Sequence, residues 1–249
     1  MDGKLLEVCI DSVESAQAAA NGGADRIELC SALVIGGLSP SMALYRAVRA
    51  AAPGVAIRAM VRPRFGDFLY TAAEKSVMLD EARAWAAAGA DGMVCGALDR
   101  DGALDRAFLK EMVAATPGMG HTLHRAFDVS ADARKSLEDA VECGFDTILT
   151  SGQRANCAAG AELLGELVRQ AAGRIAILAG AGIGAGVIPG IAARTGVRQF
   201  HLSAKTVLRS GMAFRREGVP MGLPGFSEYE KWQTDEAKVR SARLALDSI

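Results

Sequence analysis

Short apolar runs alternate along the chain with longer Ala-rich stretches that keep their polar residues to one face. Leu5–Cys9, Ala56–Val61, Thr122–Arg125 and Ile175–Ala179 are runs of strand formers bounded by turn residues. Between them one pattern recurs four times: Gly, a small or apolar residue, usually Asp, then strand formers. The copies open at Gly23-Ala24-Asp25, Gly89-Ala90-Asp91, Gly144-Phe145-Asp146 and, more weakly, Gly196-Val197-Arg198. Each Gly follows a helical stretch, where a positive φ closes the helix and only Gly adopts it cheaply. The copies lie about two strand–helix units apart, so the two sets of strands interleave to give eight. Residues 12–21, 41–51, 71–88, 105–115, 131–143 and 158–172 read as the helices. Ser12 with Ser15, Thr71 with Glu74 and Ser39-Pro40 are their start signals.

Strands alternating with helices predict a parallel sheet, and eight such units predict a closed (βα)8 TIM-like barrel. The Gly-rich fingerprint of an open dinucleotide-binding sheet is missing after the first strand, where Cys9-Ile10-Asp11-Ser12 stands. Residues 1–249 are read as one domain, with 206–232 a long loop after the eighth strand and 233–249 a C-terminal helix. A loop of that length, rich in Gly and Pro, is expected to cover the strand mouth or build a subunit interface.

Composition narrows the function. Of 249 residues half are hydrophobic, only 5% are aromatic and the net charge is −1, so neither nucleic acid nor a membrane surface is an expected partner. No run is long and apolar enough to span a bilayer and no leader pattern is seen, so a cytoplasmic location is expected. Five scattered cysteines show no zinc-type spacing and are expected to be reduced there. Cys95, Cys143 and Cys157 are expected to be ordinary buried or loop thiols, and His121 a surface or bottom-face residue.

Barrel strands alternate their side chains between the interior and the helices. That parity puts Glu7, Cys9 and Asp11 on one face, Glu28 with Cys30, Arg58 with Met60, Arg62 and Arg64, Thr122 with His124, and His201 with Ser203. The charged set is expected to converge on the barrel axis, where carboxylates and arginines neutralise one another. Glu7, Glu28 and Arg58 are equally readable as a structural ion-pair layer. Glu7, Glu28, Arg62 and His124 are the candidates if the barrel is an enzyme. The run Gly180–Gly186 after the seventh strand, with Ser203 and Lys205, suggests an anion site, Gly180, Gly182 and Gly184 offering backbone N–H groups. Cys9 and Cys30 stand at equivalent positions of neighbouring strands, each two residues beyond a Glu. They read either as buried packing residues or as soft ligands for Cu(I), with His or Met as a third donor.

The motifs Glu7-Val8-Cys9-Ile10-Asp11-Ser12, Gly22 through Cys30, Gly36-Gly37-Leu38-Ser39-Pro40-Ser41 and Val61-Arg62-Pro63-Arg64 resemble the CutC copper homeostasis family. So do Gly66-Asp67-Phe68, His124-Arg125-Ala126-Phe127-Asp128 and Leu149-Thr150-Ser151-Gly152-Gln153. The resemblance runs nearly the whole chain and departs at Phe65, where the family usually has Gly. It implies a TIM-like barrel, a cytoplasmic role in copper homeostasis, copper as Cu(I) held by Cys9 and Cys30, and a homodimer. The alternative from the residues themselves is a barrel enzyme acting on a small anionic or phosphorylated metabolite.

Overall fold

The computed structural model describes residues 3–216, 218–219 and 221–249. Eight strands close into a parallel barrel in chain order, each followed by its helix. They are β1 (Leu5–Ile10), α1 (Val13–Asn21), β2 (Arg26–Leu29), α2 (Met42–Ala51), β3 (Ala56–Met60), α3 (Ala72–Ala87), β4 (Gly92–Cys95) and α4 (Arg106–Ala114). The second half is β5 (Gly120–Leu123), α5 (Ala133–Cys143), β6 (Thr147–Thr150), α6 (Ala161–Ala171), β7 (Ala176–Ala179), α7 (Ile188–Thr195) and β8 (Gln199–Leu202). The expected (βα)8 barrel is present. Helix α7, which carries a Pro in its first turn and follows the Gly-rich run, was missing from the expected helices.

The expected loop 206–232 is corrected in part. Its two ends form an antiparallel hairpin, β9 (Lys205–Arg209) with β10 (Glu230–Thr234), before α8 (Glu236–Asp247) packs beside β1. The strand formers Thr206-Val207-Leu208 between Lys205 and Arg209 are the signal for that strand. The described residues between the two strands are almost all exposed.

Local chemistry explains the repeat. Gly23, Gly89, Gly144 and Gly196 all adopt φ between +74° and +91°. The Asp two residues on does a second job. Asp25, Asp91 and Asp146 accept the backbone N–H of Leu6, Ile57 and His121 at 2.7–2.8 Å, each on the preceding strand. The fourth copy has Arg198 in that place and lacks this bond.

Leu6, Val8, Ile10, Ile27, Leu29, Ile57 and Leu123 are fully buried in the main apolar core, the layer between strands and helices. The barrel interior is charged instead. At its N-terminal end Arg58 bonds Thr122 (2.6 Å), Thr147 (3.2 Å) and Asp146 (2.8 Å). Gly120 makes room for it, since a Cβ there would lie 2.3 Å from the guanidinium. Arg58 therefore belongs to a structural layer below the mouth and not to the mouth set. Of the two places expected for His121 the surface is corrected: it is buried near the N-terminal end of β5, with Nε2 2.8 Å from the Thr116 hydroxyl.

Candidate functional site

The strand register decides what meets at the C-terminal mouth. On β1 and β2, Glu7 stands opposite Arg26 and Cys9 opposite Glu28. The two Glu-x-Cys motifs are thus offset by two residues, as the stagger of a closed barrel requires. Cys30 lies diagonally beyond Cys9, roughly 8 Å away between backbones at ~3.3 Å rise and ~4.8 Å strand spacing. The expectation that the two thiols sit side by side is corrected. The neighbour of Cys9 is the Glu28 carboxylate, and from the other side β8 supplies His201, whose α-carbon faces Glu7.

One ligand atom each from Cys9, Glu28 and His201 lies within 4.8 Å of the others. His201 Nδ1 is 2.7 Å from Glu7 and its Nε2 3.8 Å from Glu28. Glu7 also receives the Arg26 guanidinium, so this fully buried carboxylate has two cationic partners. Cys30 Sγ donates to Glu28 at 3.5 Å, and Cys9 Sγ to the carbonyl of Leu202 at 3.7 Å. Glu28 therefore bonds Cys30 and lies within 4.8 Å of the Cys9 thiol.

The electrostatics follow from burial and pairing. Burial would raise the Glu7 carboxyl, but Arg26 and His201 pull it down to about 2. Burial, reinforced by the Glu7 charge, raises Glu28 despite His201. Burial next to Glu28 pushes the Cys30 thiol well up. Burial would lower His201, but Cys9, Glu28 and Glu7 outweigh it and hold the imidazolium well above its ordinary range. Without a bound cation the protons of the cluster sit on the Cys30 thiol and on the His201 imidazolium held between carboxylates; a soft cation would replace them.

A cavity of about 430 Å³ opens at the mouth above this cluster, bordered by Cys9, Glu28, His201, Arg62, His124 and Arg125 among others. His124, expected here, follows β5 and caps the 3-10 turn Arg125–Val129, its Nδ1 accepting the N–H of Ala126. Gly96 allows it to pack there. Burial and the nearby Arg62 charge lower His124 to about 3, so it is neutral, with its proton on Nε2 and no partner for it. It is not in the group with Cys9; His201 is the imidazole beside the thiol. Arg62 is buried too, its NH1 shared among the carbonyls of Ile35, Gly36 and Gly37 and its NH2 on Gly66, with Phe68 stacked 5.0 Å away. Much of its work is to tie two loops to the rim.

The remaining expected residues scatter. Ser203 and Lys205 border a smaller cavity of about 120 Å³ with Cys9, Asp11 and Trp232, and the Lys205 ammonium rests 3.1 Å over the Trp232 ring. Gly180 packs on Leu149 and His201, Gly182 lies by Asn156, and Gly184 borders a third cavity with Lys238. Cys95, Cys143 and Cys157 are buried and free, as are Cys9 and Cys30. Phe65 is exposed. Arg26 was not among the candidates: it faces Glu7 only because of the stagger, although its parity with Glu28 signals that it points inward.

Comparison with known proteins identifies the family. The sequence profile of the CutC family matches residues 4–206. The chain is 41% identical over 244 residues to a CutC family protein of Chromobacterium violaceum, covering 98% of each. It is 42% identical over 249 residues to the human copper homeostasis protein cutC homolog, covering 100% of this chain and 91% of the human one. A solved structure of a CutC protein from Streptococcus agalactiae superposes with a TM-score of 0.77 at 29% identity, over 80% of this chain and 98% of that one. Thiamine phosphate pyrophosphorylase from Pyrococcus furiosus, at 16% identity and a TM-score of 0.59, shares the fold alone. The chain belongs to the CutC family.

Proposed function

We propose that this chain is a cytoplasmic copper homeostasis protein that binds Cu(I) at the barrel mouth through Cys9 and Cys30, with His201 as the third donor. The observation that carries the reading is the approach of Cys9, His201 and Glu28 to within 4.8 Å of one another, with Cys30 held against the same Glu28. Thiolate and imidazole are the soft and borderline donors Cu(I) prefers, and the fit is good on that ground. The Glu28 carboxylate is too hard to be a favoured ligand; its part is to accept the protons and balance the charge. To share the ion, Cys30 must turn toward Cys9 from its diagonal position on the neighbouring strand. Five unpaired cysteines suit a reducing compartment.

Anaerobic competition against a Cu(I) chelator tests this. About one tight site per chain is expected, weakened at least about tenfold in Cys9→Ser and in Cys30→Ser, since a lost soft ligand removes more than ~1.4 kcal/mol. His201→Gln should weaken it as well, while Cys95→Ser and His124→Gln should leave it alone. A Cys9→Ser/Cys30→Ser protein with wild-type affinity would show that the thiols only pack and that the family's link to copper does not run through this cluster.

A further inference from the structure

The mouth cavity holds a second group of polar atoms that the copper reading does not use. Arg125 borders it and is fixed from behind, Nε on Asp128 at 2.6 Å and NH2 on the Ser151 hydroxyl at 3.1 Å. Asp128 is itself anchored: it accepts the Thr150 hydroxyl (2.5 Å), the Ser151 hydroxyl (2.9 Å) and the backbone N–H groups of Ser151 and Gln153. The motifs His124 through Asp128 and Thr150 through Gln153 therefore form one rigid bracket. Its product is a guanidinium whose NH1 makes no bond among the described residues and whose side chain is 46% exposed at the rim. The adjacent His124, 4% exposed, carries its proton on an Nε2 that is buried without a partner. Arg62 Nε, across Phe68, is a second buried donor without a partner. Buried N–H groups in natural proteins are seldom left unbonded, and two beside one cavity point to an acceptor supplied from outside. Phe68 lies against both, its ring 4.9 Å from the His124 ring and 5.0 Å from the Arg62 guanidinium, and a ligand that reaches the pair must displace this half-buried side chain.

We propose that this cavity binds a small organic carboxylate, its anionic head on Arg125 and the His124 Nε2–H, its apolar body against Leu33, Ile35, Met60 and Leu149. The volume is within the ~300–1,000 Å³ range of small-molecule sites, and the lining away from the bracket is mainly apolar. A carboxylate suits the donors better than a phosphate does. One guanidinium nitrogen and one imidazole N–H satisfy a planar head with two oxygens and leave a third oxygen unserved. The Gly-rich turn after β7 lies outside this lining, so the proposal needs none of its backbone. It goes beyond the copper reading and shares no ligand with it.

Calorimetric titration of the intact protein with the series acetate, butyrate, valerate and benzoate, each beside its neutral amide, tests the proposal. Saturable binding of the acids is expected, at least about tenfold tighter than the amides and rising up to about fourfold per added methylene. Arg125→Met should erase the preference for acid over amide, and Arg125→Lys should keep part of it. Ile35→Trp, which fills the cavity from the turn after β2, away from the bracket, should block both. Cys30→Ser, which does not border the cavity, should bind the acids as the wild type does, so that loss of copper binding and loss of carboxylate binding are read separately. Equal binding of acids and amides by the wild type, or an unchanged preference in Arg125→Met, would overturn the proposal. Inorganic phosphate binding as tightly as valerate would overturn the choice of carboxylate.

Discussion

His124 shows how much one buried side chain can commit a fold to a pH range. Its ring lies where a Cβ on Gly96 would come within 2.6 Å of Nδ1, its Nδ1 is engaged by a backbone N–H, and Arg62 adds a like charge to any imidazolium. Protonation would need to displace that bond inside a buried site, which is why the folded protein holds it neutral down to about 3. The unfolded chain takes up the proton near its ordinary 6.5, so stability is full above that value and falls as the pH drops toward 3. Urea unfolding at pH 7 and pH 4 checks this. The wild type is expected to lose about 3 kcal/mol more than His124→Gln between the two. Parallel losses would mean that the folded protein protonates His124 freely. Glu7 adds acid lability of the same sign at lower pH, stabilising fully above about 4.5 and losing its contribution toward 2.

At the scale of elements, the Gly-x-Asp units join helix ends to strand starts. The glycine's part was legible in the sequence, because a positive φ after a helix is a local demand. The aspartate's part was not, because its partner is a backbone N–H on the preceding strand, 19 to 34 residues away. Asp25→Ala, Asp91→Ala and Asp146→Ala should each lower stability by about 1–3 kcal/mol through an unpaired N–H. Asp146→Ala should be the worst, since it also strands the Arg58 guanidinium in the barrel interior. Thermal melts of the three proteins rank them; a mild Asp146→Ala would mean that Thr122 and Thr147 suffice for Arg58. The same distinction divides the site. Parity within each strand correctly turned Glu7, Cys9, Glu28 and His201 inward, because alternation is local. Which of them touch depends on the stagger between strands, a property of closure around all eight. Hence the thiol of Cys9 meets Glu28 and His201 first, and Arg26, not Arg58, neutralises Glu7. The hairpin of β9 and β10 was hidden for a related reason, as its two strands are separated by 20 residues without a short turn signal.

For the whole molecule the open question is what covers the arm between β9 and β10. It carries Met212, Phe214, Val219, Met221, Leu223 and Phe226, all exposed, with Met221 at 80%. Among the described residues no helix is long and apolar enough to cross a membrane. Large apolar side chains gathered in one exposed segment mark an association surface more often than scattered single ones do. Two copies related by a two-fold axis could bury both arms at once, each against the other or against the partner's barrel, which is the commonest closed arrangement. The hairpin would transmit that contact to the site, because Trp232 and Gln233 of β10 line the small cavity next to Cys9. A dimer is therefore expected in sedimentation velocity at micromolar concentration. Phe214→Asp/Met221→Asp should shift it to monomer while circular dichroism and the melting of the barrel stay as they were, because neither residue belongs to the core. Limited proteolysis gives an independent reading: the arm should resist cleavage in the wild type and be cut readily in the double variant. A wild-type monomer cut at once between residues 210 and 229 would make the arm a plain exposed loop and leave the mouth to work within a single chain.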